Sequence, residues 1–323
     1  MLTDNYGRRF YYLRLSITDV CNFRCDYCLP DGYQCDHDRD FLSLAEIQRL
    51  ATAFASLGTE KIRITGGEPS LRKDLPQILQ HCKSTPGIKK LAITTNGYKL
   101  NSQIQDWVDA GLDALNVSID SLDPRLFQSI TGHDKLQEIL SGIDKALTLG
   151  LTQVKVNTVL MRQYNGADID TFLNFIKETP VTLRFIELMQ TGDNETFFNE
   201  QHVQGSRIKQ QLVLAGWQPV IKEKSSGPAQ EFYHPDYRGK IGLIMPYSKD
   251  FCASCNRLRI SALGKLHLCL FADQGLSLRE HLQSDDQVPL VNAISHLLTD
   301  KKATHFLQEQ LTGATKNLAM LGG

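Results

Sequence analysis

Residues 13–28 read L-R-L-S-I-T-D-V-C-N-F-R-C-D-Y-C, a strand-like run that is followed at once by three cysteines. The aromatic and branched residues over 10–17 predict a β-strand. Three thiolates at C-x3-C-x2-C spacing can bind three corners of a four-iron, four-sulfur cluster, whose corners usually take four cysteines. The fourth iron then stays open to another ligand. The stretch therefore predicts a first strand that ends at an iron–sulfur site, with the ligands Cys21, Cys25 and Cys28.

Three other interpretations of these cysteines are weaker. A structural zinc site is closed by four ligands, and only Cys35 or His37 in the nearby loop would supply the fourth. Disulfides are disfavoured because three is an odd number and the N-terminus lacks the layout of a signal peptide. Plain buried thiols are disfavoured because polar residues separate the cysteines, namely Asn22, Arg24 and Asp26.

The composition excludes several classes of protein. Of 323 residues, 41% are hydrophobic and 22% are charged, which is ordinary for a soluble globular protein. No apolar run approaches the ~18 residues that a membrane span needs. Eight cysteines without an export signal indicate the reducing cytoplasm and metal binding. The net charge of −1 predicts no nucleic-acid partner, so an anion site must be built locally from a few arginines and lysines.

Strand and helix signals alternate from residue 10 to about residue 190. The predicted strands are 10–17, 61–65, 91–95, 114–119, 154–160 and 182–188. The predicted helices are 44–57, 75–82, 104–110, 136–149 and 169–176. This order predicts an α/β fold, a partial, open parallel β/α barrel of about six strand–helix units, because a closed barrel of this kind has eight.

The alternation fades after residue 190, which divides the chain into a barrel over 1–190 and a C-terminal domain over 191–323. We expect the second part to close the open side of the barrel. Within it we predict a polar loop over 193–204, a strand over 241–245, and helices over 208–214, 278–282 and 291–298. Parallel barrels carry their chemistry at the carboxyl ends of the strands. Polar or cysteine-rich segments lie at five of these ends, beginning at Cys21, Gly66, Thr94, Ser118 and Met189.

A second set of three cysteines lies in the C-terminal part, at C-x2-C-x13-C spacing: Cys252, Cys255 and Cys269. It fits a second open iron–sulfur cluster, or zinc if His267 joins as a fourth ligand. By spacing alone the two interpretations are near even, and the first cysteine set favours the cluster. Arg257 and Arg259 follow directly and suit an anionic ligand, because guanidinium binds phosphate in a planar fork. The alternative for these arginines is a strand with outward charges.

With both sets located, the chain closely resembles the GTP 3',8-cyclases of molybdenum cofactor biosynthesis, within the radical S-adenosylmethionine superfamily. The resemblance runs from end to end and rests on residues 13–28 and on R-I-T-G-G-E-P, T-T-N-G, N-V-S-I-D-S, V-K-V-N-T-V, R-F-I-E-L-M and F-C-A-S-C-N-R-L-R. It includes the final Gly322-Gly323. One departure is Val20, where the family often has arginine.

The resemblance implies a role for each matching residue. The first cysteine set would hold the cluster that binds S-adenosylmethionine, and the second the cluster that meets the guanine base. S-adenosylmethionine contacts are implied for Tyr27, Gly67, Ser118 and Met189, and the carboxylate of Glu68 could accept from the methionine ammonium. GTP contacts are implied for Arg14, Arg63, Thr94, Lys155, Arg257, Leu258 and Arg259. Catalytic roles are implied for Arg257, Arg259, Gly322 and Gly323, the glycine tail entering the cavity beside the substrate.

The implied reaction removes hydrogen from C3' of GTP by a 5'-deoxyadenosyl radical and joins C3' to C8 of guanine. The implied cofactors are two [4Fe-4S] clusters and S-adenosylmethionine. The implied partners are a second copy of the chain, a flavodoxin-type electron donor and the next enzyme of the pterin pathway. Two rival functions stay open at this point: a peptide-modifying radical enzyme with an auxiliary cluster, and a zinc-binding interaction protein without catalysis.

Overall fold

The structure is a computed structural model that describes residues 1–34, 39–166, 168–224, 226–272, 274–313 and 321. Its strands are β1 (Tyr12–Ser16), β2 (Lys61–Thr65), β3 (Lys90–Thr95), β4 (Ala114–Ser118), β5 (Val154–Leu160), β6 (Thr182–Glu187), β7 (Gln218–Pro219), β8 (Gln230–Tyr233), β9 (Lys240–Ile244), β10 (Arg257–Ile260), β11 (Lys265–His267) and β12 (Leu276–Ser277). Its α-helices are α1 (Leu44–Ser56), α2 (Leu75–Ser84), α3 (Leu100–Asp109), α4 (Pro124–Thr131), α5 (Leu136–Thr148), α6 (Ile169–Glu178), α7 (Glu195–Gln201), α8 (Gly205–Leu214) and α9 (Gln287–Leu297). Short 3-10 turns lie at Pro69–Leu71, Arg279–Leu282, Leu298–Asp300 and Leu307–Glu309.

The strands form a single sheet in the order β12-β11-β10-β1-β2-β3-β4-β5-β6-β9-β8-β7. The eight strands from β10 to β9 in this order are parallel, and short antiparallel strands extend both edges. Over the described ranges the sheet does not close on itself. The predicted fold class, an open and mostly parallel barrel, is therefore confirmed.

The C-terminal part joins the barrel through backbone pairing at both edges. Strand β10 pairs with β1, and β9 pairs with β6. The second cysteine set is thereby brought beside the first, because β10 begins two residues after Cys255. The division of the chain at residue 190 stays a prediction.

The two faces of the sheet differ in polarity, because successive side chains of a strand point to opposite faces. In β1, Leu13 and Leu15 are fully buried in the apolar core that packs on the helices. Arg14 lies on the other face, in register with Arg63 of β2 and Arg259 of β10. Parallel strands that are buried on both faces are usually apolar on both. The inner face of this barrel instead carries a row of cations.

Two helices were not predicted, and the predicted loop over 193–204 is wrong because it contains α7. Helix α4 had readable signals: the Asp123 carboxylate accepts from the Arg125 and Leu126 amides at its start, and Gly132 ends it at a φ of +78°. Helix α7 has a polar sequence and depends on tertiary packing of Phe198. In the described part of the chain, no helix is long and apolar enough to cross a membrane.

Candidate active site

One large cavity lies inside the barrel at the carboxyl ends of its strands, and both cysteine sets line it. Its volume is about 1740 Å³, counting the space that opens to solvent. The predicted site residues on its wall are Arg14, Cys21, Cys25, Tyr27, Cys28, Arg63, Gly67, Thr94, Ser118, Met189, Cys252, Cys255, Arg257, Arg259 and Cys269.

Two predicted site residues, Lys155 and Leu258, do not line this cavity. Lys155 lies in a neighbouring cavity at the opposite end of the barrel, which shares Arg184 with the first one. The side chain of Leu258 is buried in the apolar core, on the helix-packed face of β10. Gly322 and Gly323 lie outside the described residues, as do Cys35 and His37.

The loop that carries the first cysteine set is held to the barrel at several points. The Tyr27 hydroxyl donates to the Asp120 carboxylate over 2.9 Å, and the Tyr164 hydroxyl donates to Asp26 over 2.8 Å. The His133 ring lies 2.8 Å from the Asn22 carbonyl through Nε2 and stacks on Phe23. Burial raises the pKa of the Asp120 carboxyl to about 6, although the Val159 amide and Tyr27 donate to it. The cysteine loop is therefore a fixed part of the barrel wall.

The Gly66-Gly67-Glu68 segment packs against the chain just before Cys21. Gly66 has a φ of +155°, and an added Cβ would lie 2.3 Å from the Thr18 carbonyl; at Gly67 it would lie 2.3 Å from the Val20 carbonyl. Only glycine fits these two positions. The Glu68 carboxylate is buried and accepts from the Ser70 amide, the Thr95 hydroxyl and the Asn96 amide. It therefore braces the ends of β2 and β3, and the expectation that it accepts from a ligand ammonium has no geometric support.

Val20 takes part in this segment through its backbone, because its carbonyl accepts from the Glu68 amide over 2.7 Å. The contact does not involve the side chain. Valine in place of the family's frequent arginine therefore leaves it intact.

The first cysteine set fits an iron–sulfur cluster. No disulfide joins two of the seven described cysteines. The side-chain amide nitrogen of Asn96 lies 3.9 Å from Cys21 Sγ. The Asn22 side-chain nitrogen is buried and has no hydrogen-bond partner within the described part. A buried donor without a partner beside these cysteines suits a cluster, since the cluster sulfurs accept hydrogen bonds.

The second cysteine set stands in cationic surroundings. Cys252 and Cys255 share one tight turn, and Arg257 and Arg259 follow on β10, where both are at least nine-tenths buried. Burial alone would raise the pKa of the Cys255 thiol, but Arg257 and then Lys301 lower it to about 7. The alternative of outward-pointing charges on this strand is wrong, because both guanidiniums line the cavity.

The zinc interpretation of the second set is not supported. His267 is aligned with Arg259 across β10 and β11. Burial, and next to it Arg259, lower the pKa of the ring to about 4. Across the described ranges, no group of three or more His, Cys, Asp or Glu side chains is arranged to hold a single metal ion.

The cations of the inner face are buried with few carboxylates near them. Burial, and after it Arg259, lower the pKa of Arg14 to about 9. Burial also lowers the pKa of Arg63, whose Nε has no hydrogen-bond partner among the described groups. A row of guanidiniums on one cavity wall suits an anionic ligand, because arginine forms bidentate hydrogen bonds with carboxylate or phosphate oxygens.

Sequence reasoning missed Arg184, which lines both cavities. Its guanidinium and the Lys155 ammonium share the Glu231 carboxylate, at 3.0 and 2.8 Å. Burial would raise the pKa of that carboxyl, but Lys155 and then Arg184 lower it to about 2. The sequence did contain a signal for Arg184, because this charged residue stands between the apolar residues Leu183 and Phe185 within β6. It lies on the face that Asn157 and Lys155 share.

Comparison with known proteins finds two family profiles on the chain. The Radical SAM superfamily profile matches residues 15–176, and the Molybdenum Cofactor Synthesis C profile matches residues 181–307. The structure is similar to that of Streptococcus suis SuiB bound to S-adenosylmethionine, with a TM-score of 0.62, 13% identity, and 89% of this chain and 68% of that chain covered. It is also similar to anSMEcpe with bound AdoMet and a peptide, with a TM-score of 0.55, 12% identity, and 88% and 83% covered. At these identities the likeness concerns the fold alone.

Relatives of much higher identity share the full length. A Yersinia pestis protein named GTP 3',8-cyclase is 57% identical over 323 residues, which cover 100% of this chain and 99% of the relative. A Vibrio vulnificus protein of the same name is 56% identical over 323 residues, which cover 99% and 97%. The chain therefore belongs to the GTP 3',8-cyclase family of the radical SAM superfamily.

Proposed function

We infer that this chain is a GTP 3',8-cyclase, a radical S-adenosylmethionine enzyme that catalyses the first step of molybdenum cofactor biosynthesis. It converts GTP to (8S)-3',8-cyclo-7,8-dihydroguanosine 5'-triphosphate. The single observation that carries this function is one cavity that joins two sets of three cysteines to a row of buried arginines.

The enzyme uses two [4Fe-4S] clusters and S-adenosylmethionine. Cys21, Cys25 and Cys28 are proposed to hold the first cluster, and Cys252, Cys255 and Cys269 the second. When bound, these cofactors supply the one-electron chemistry by which a carbon radical removes hydrogen from C3' of GTP. Everything else is the work of the chain's own residues: binding, orientation and exclusion of water.

The S-adenosylmethionine subsite is proposed to lie between the first cysteine loop and the ends of β2, β4 and β6. The Gly67 backbone packs against the chain just before Cys21, where its amide donates to the Thr18 carbonyl over 2.9 Å. Ser118 and Met189 face the same cavity from the ends of their strands. Met189, like Cys28 and Cys269, packs against a small apolar cluster that includes Leu270 and Phe271.

GTP is proposed to bind along the cationic inner face. Arg257 and Arg259 stand beside the second cysteine set, which places them at the guanine end of the substrate. Arg63 and Thr94 lie on neighbouring strands, with Arg63 Nη1 3.5 Å from the Thr94 hydroxyl. Lys155 and Arg184 continue the row toward the opposite end of the barrel. A triphosphate needs several converging cations, and Arg forms bidentate bonds with phosphate oxygens.

Catalysis in this account depends on holding C3' close to the attacking carbon in a water-poor cavity. Arg257 and Arg259 are proposed to orient the base, so that C8 faces C3' of the same molecule. Gly322 and Gly323 are proposed to enter the cavity beside the substrate, because a segment without side chains needs little room. Their deletion tests this role, and undiminished turnover would contradict it.

The surroundings of the enzyme are proposed on the same basis. We place it in the cytoplasm, as a homodimer that receives electrons from a flavodoxin-type donor. Its product then passes to the next enzyme of the pterin pathway.

The test is an anaerobic assay with reductant, S-adenosylmethionine and GTP deuterated at C3'. Mass spectrometry follows the label in 5'-deoxyadenosine. We expect one deuterium to be transferred and the cyclised nucleotide to appear in equal amount. Unlabelled 5'-deoxyadenosine would support the proposed role of the first cysteine set but would show that hydrogen is not removed from C3' of GTP. No 5'-deoxyadenosine from protein with both clusters filled would reject the enzyme function.

A further inference from the structure

Lys301 is a buried ammonium group next to the second cysteine set, and the reaction described above gives it no role. Its residue is 5% exposed, and its Nζ donates to the Leu268 carbonyl, one residue before Cys269. The ammonium also lies 5.4 Å from the centre of the Phe10 ring. In the ranges that the structure describes, no carboxylate forms an ion pair with it.

A buried ammonium needs a negative partner, because removing its hydration costs several kcal/mol or more. The groups that stabilise the charged form of Lys301 are cysteines of the second set. Burial lowers the pKa of the Lys301 ammonium, while Cys255 and then Cys269 oppose this. Lys301 does not itself belong to the described wall of the cavity. Its ammonium group instead contacts the Leu268 carbonyl, in the segment that leads to Cys269.

The segment that carries Lys301 is fixed by a second buried cation. The Arg8 guanidinium donates to the Lys302 and Ala303 carbonyls, both over 2.7 Å, and to the Cys252 carbonyl over 3.2 Å. Asp4 holds Arg8 in place through a 2.6 Å ion pair. The chain after Lys301 and the turn that carries Cys252 are thus tied to one side chain. The fold therefore fixes the position of Lys301 beside the backbone that leads to Cys269.

We propose that Lys301 is the counter-charge of the C-terminal iron–sulfur cluster and raises the reduction potential of that cluster. The inference rests on the proposed function, which places a cluster on Cys252, Cys255 and Cys269. Reduction adds one negative charge to a cluster, so a fixed cation in a low-dielectric site favours the reduced state. Lys301 is a positioning residue, since it acts on the cluster and on the backbone before Cys269 without touching the reacting atoms.

The test compares variants of the reconstituted holoenzyme. Lys301→Gln removes the charge and keeps a hydrogen-bond donor, and Lys301→Arg keeps the charge. Lys302→Gln is the matched control, because the neighbouring lysine is exposed. The readouts are iron content and the midpoint potentials of both clusters, from redox titration followed by electron paramagnetic resonance.

We expect Lys301→Gln to lower the potential of the C-terminal cluster by about 59 mV, a tenfold change in its one-electron equilibrium constant. The N-terminal cluster should keep its potential. Lys301→Arg and Lys302→Gln should match the parent protein at both clusters. The KM for GTP should stay unchanged in all three variants.

Three results separate the possible failures. An unchanged C-terminal potential in fully loaded Lys301→Gln would overturn the inference and leave the proposed function standing. Loss of the C-terminal cluster from Lys301→Gln but not from Lys301→Arg would support a charge role, whereas equal loss from both would show a merely structural one. An iron content of about four atoms per chain in the parent protein would show that it holds one cluster. That result would contradict both the proposed function and the inference.

Discussion

The two cysteine sets have the same number of thiols but opposite electrostatic surroundings. Near the first set stand carboxylates: burial raises the pKa of Cys21 to about 11, and Glu68 adds to it. Burial and then Asp120 raise the pKa of Cys25 well above its usual range. Around the second set, Arg257 and Lys301 overcome the effect of burial and lower the pKa of Cys255 to about 7.

This difference matches what each site is proposed to bind. S-adenosylmethionine carries a sulfonium cation, which neutral or acidic surroundings tolerate. GTP carries several negative charges, which the arginine-rich surroundings of the second set attract. Cluster potentials also follow local charge, so the first cluster is expected to be the stronger reductant. One cavity thus holds an electron-donating end and an anion-binding end.

The largest predicted effects come from removing one ligand from each set. Cys25→Ala and Cys255→Ala should each lower the iron content from about eight to about four atoms per chain. Both should reduce formation of the cyclised nucleotide by at least about a hundredfold. Only Cys25→Ala should abolish cleavage of S-adenosylmethionine, measured as 5'-deoxyadenosine by chromatography. Loss of that cleavage in Cys255→Ala as well would mean that the two sites are not divided in this way.

Arg63→Gln tests the cationic face without touching a cysteine. Removing one buried guanidinium from an anion site should cost about 2 kcal/mol, or roughly thirtyfold in Kd for GTP. Binding of S-adenosylmethionine should stay the same, and isothermal titration calorimetry measures both. Lys89→Gln is the control, because the Lys89 side chain is 69% exposed and pairs only with Glu60 in the described structure. Equal weakening of both ligands by Arg63→Gln would contradict a GTP-specific role.

The reactivity of the thiols in cluster-free protein should show the electrostatic difference directly. At pH 8 most of Cys255 but only about 0.1% of Cys21 is thiolate, given pKa values of about 7 and about 11. The lower intrinsic nucleophilicity of the more acidic thiolate reduces this advantage to about tenfold. Iodoacetamide under anaerobic conditions, followed by peptide mass spectrometry, should therefore label Cys255 about ten times faster. Faster labelling of Cys21 would contradict the assigned surroundings.

The smallest predicted effect concerns His267, the ligand of the rejected zinc interpretation. Its folded-state pKa is lowered from 6.5 to about 4, so its contribution to stability is present above pH 6.5 and is lost as the pH falls toward 4. When the pH falls from 8 to 5, the free energy of unfolding should therefore decrease by about 1 kcal/mol less in His267→Gln than in the parent protein. Denaturant unfolding without metal measures this difference. Iron content should be unchanged, and zinc bound by the parent but not by the variant would restore the zinc interpretation.

Local patterns predicted those parts of the fold that local forces determine. Strands β2 and β5 begin and end where the alternation of side chains predicted. The sequence S-L-A-E over 43–46 is typical of a capping box, and one is present at the start of α1, with the Ser43 amide donating to the Glu46 carboxylate over 2.8 Å. These features depend on neighbours a few residues away, which a sequence displays directly.

Long-range pairing was beyond the sequence patterns. Strand β10 lies beside β1, more than 240 residues earlier in the chain, and this pairing turns Arg257 and Arg259 inward. The cysteines and most of the other predicted site residues line the cavity. They could be picked out from the sequence because they lie in short local motifs. Arg184 and Lys301 were not, because their importance arises from buried neighbours that distant segments provide.

The most direct test of the division between the two sites is the response of each cluster to each ligand. Cys255→Ala protein, which keeps the first cluster, and Cys25→Ala protein, which keeps the second, are reduced and examined by electron paramagnetic resonance. We expect S-adenosylmethionine to change only the spectrum of Cys255→Ala, and GTP to change only that of Cys25→Ala. A GTP-induced change in Cys255→Ala with none in Cys25→Ala would contradict the account.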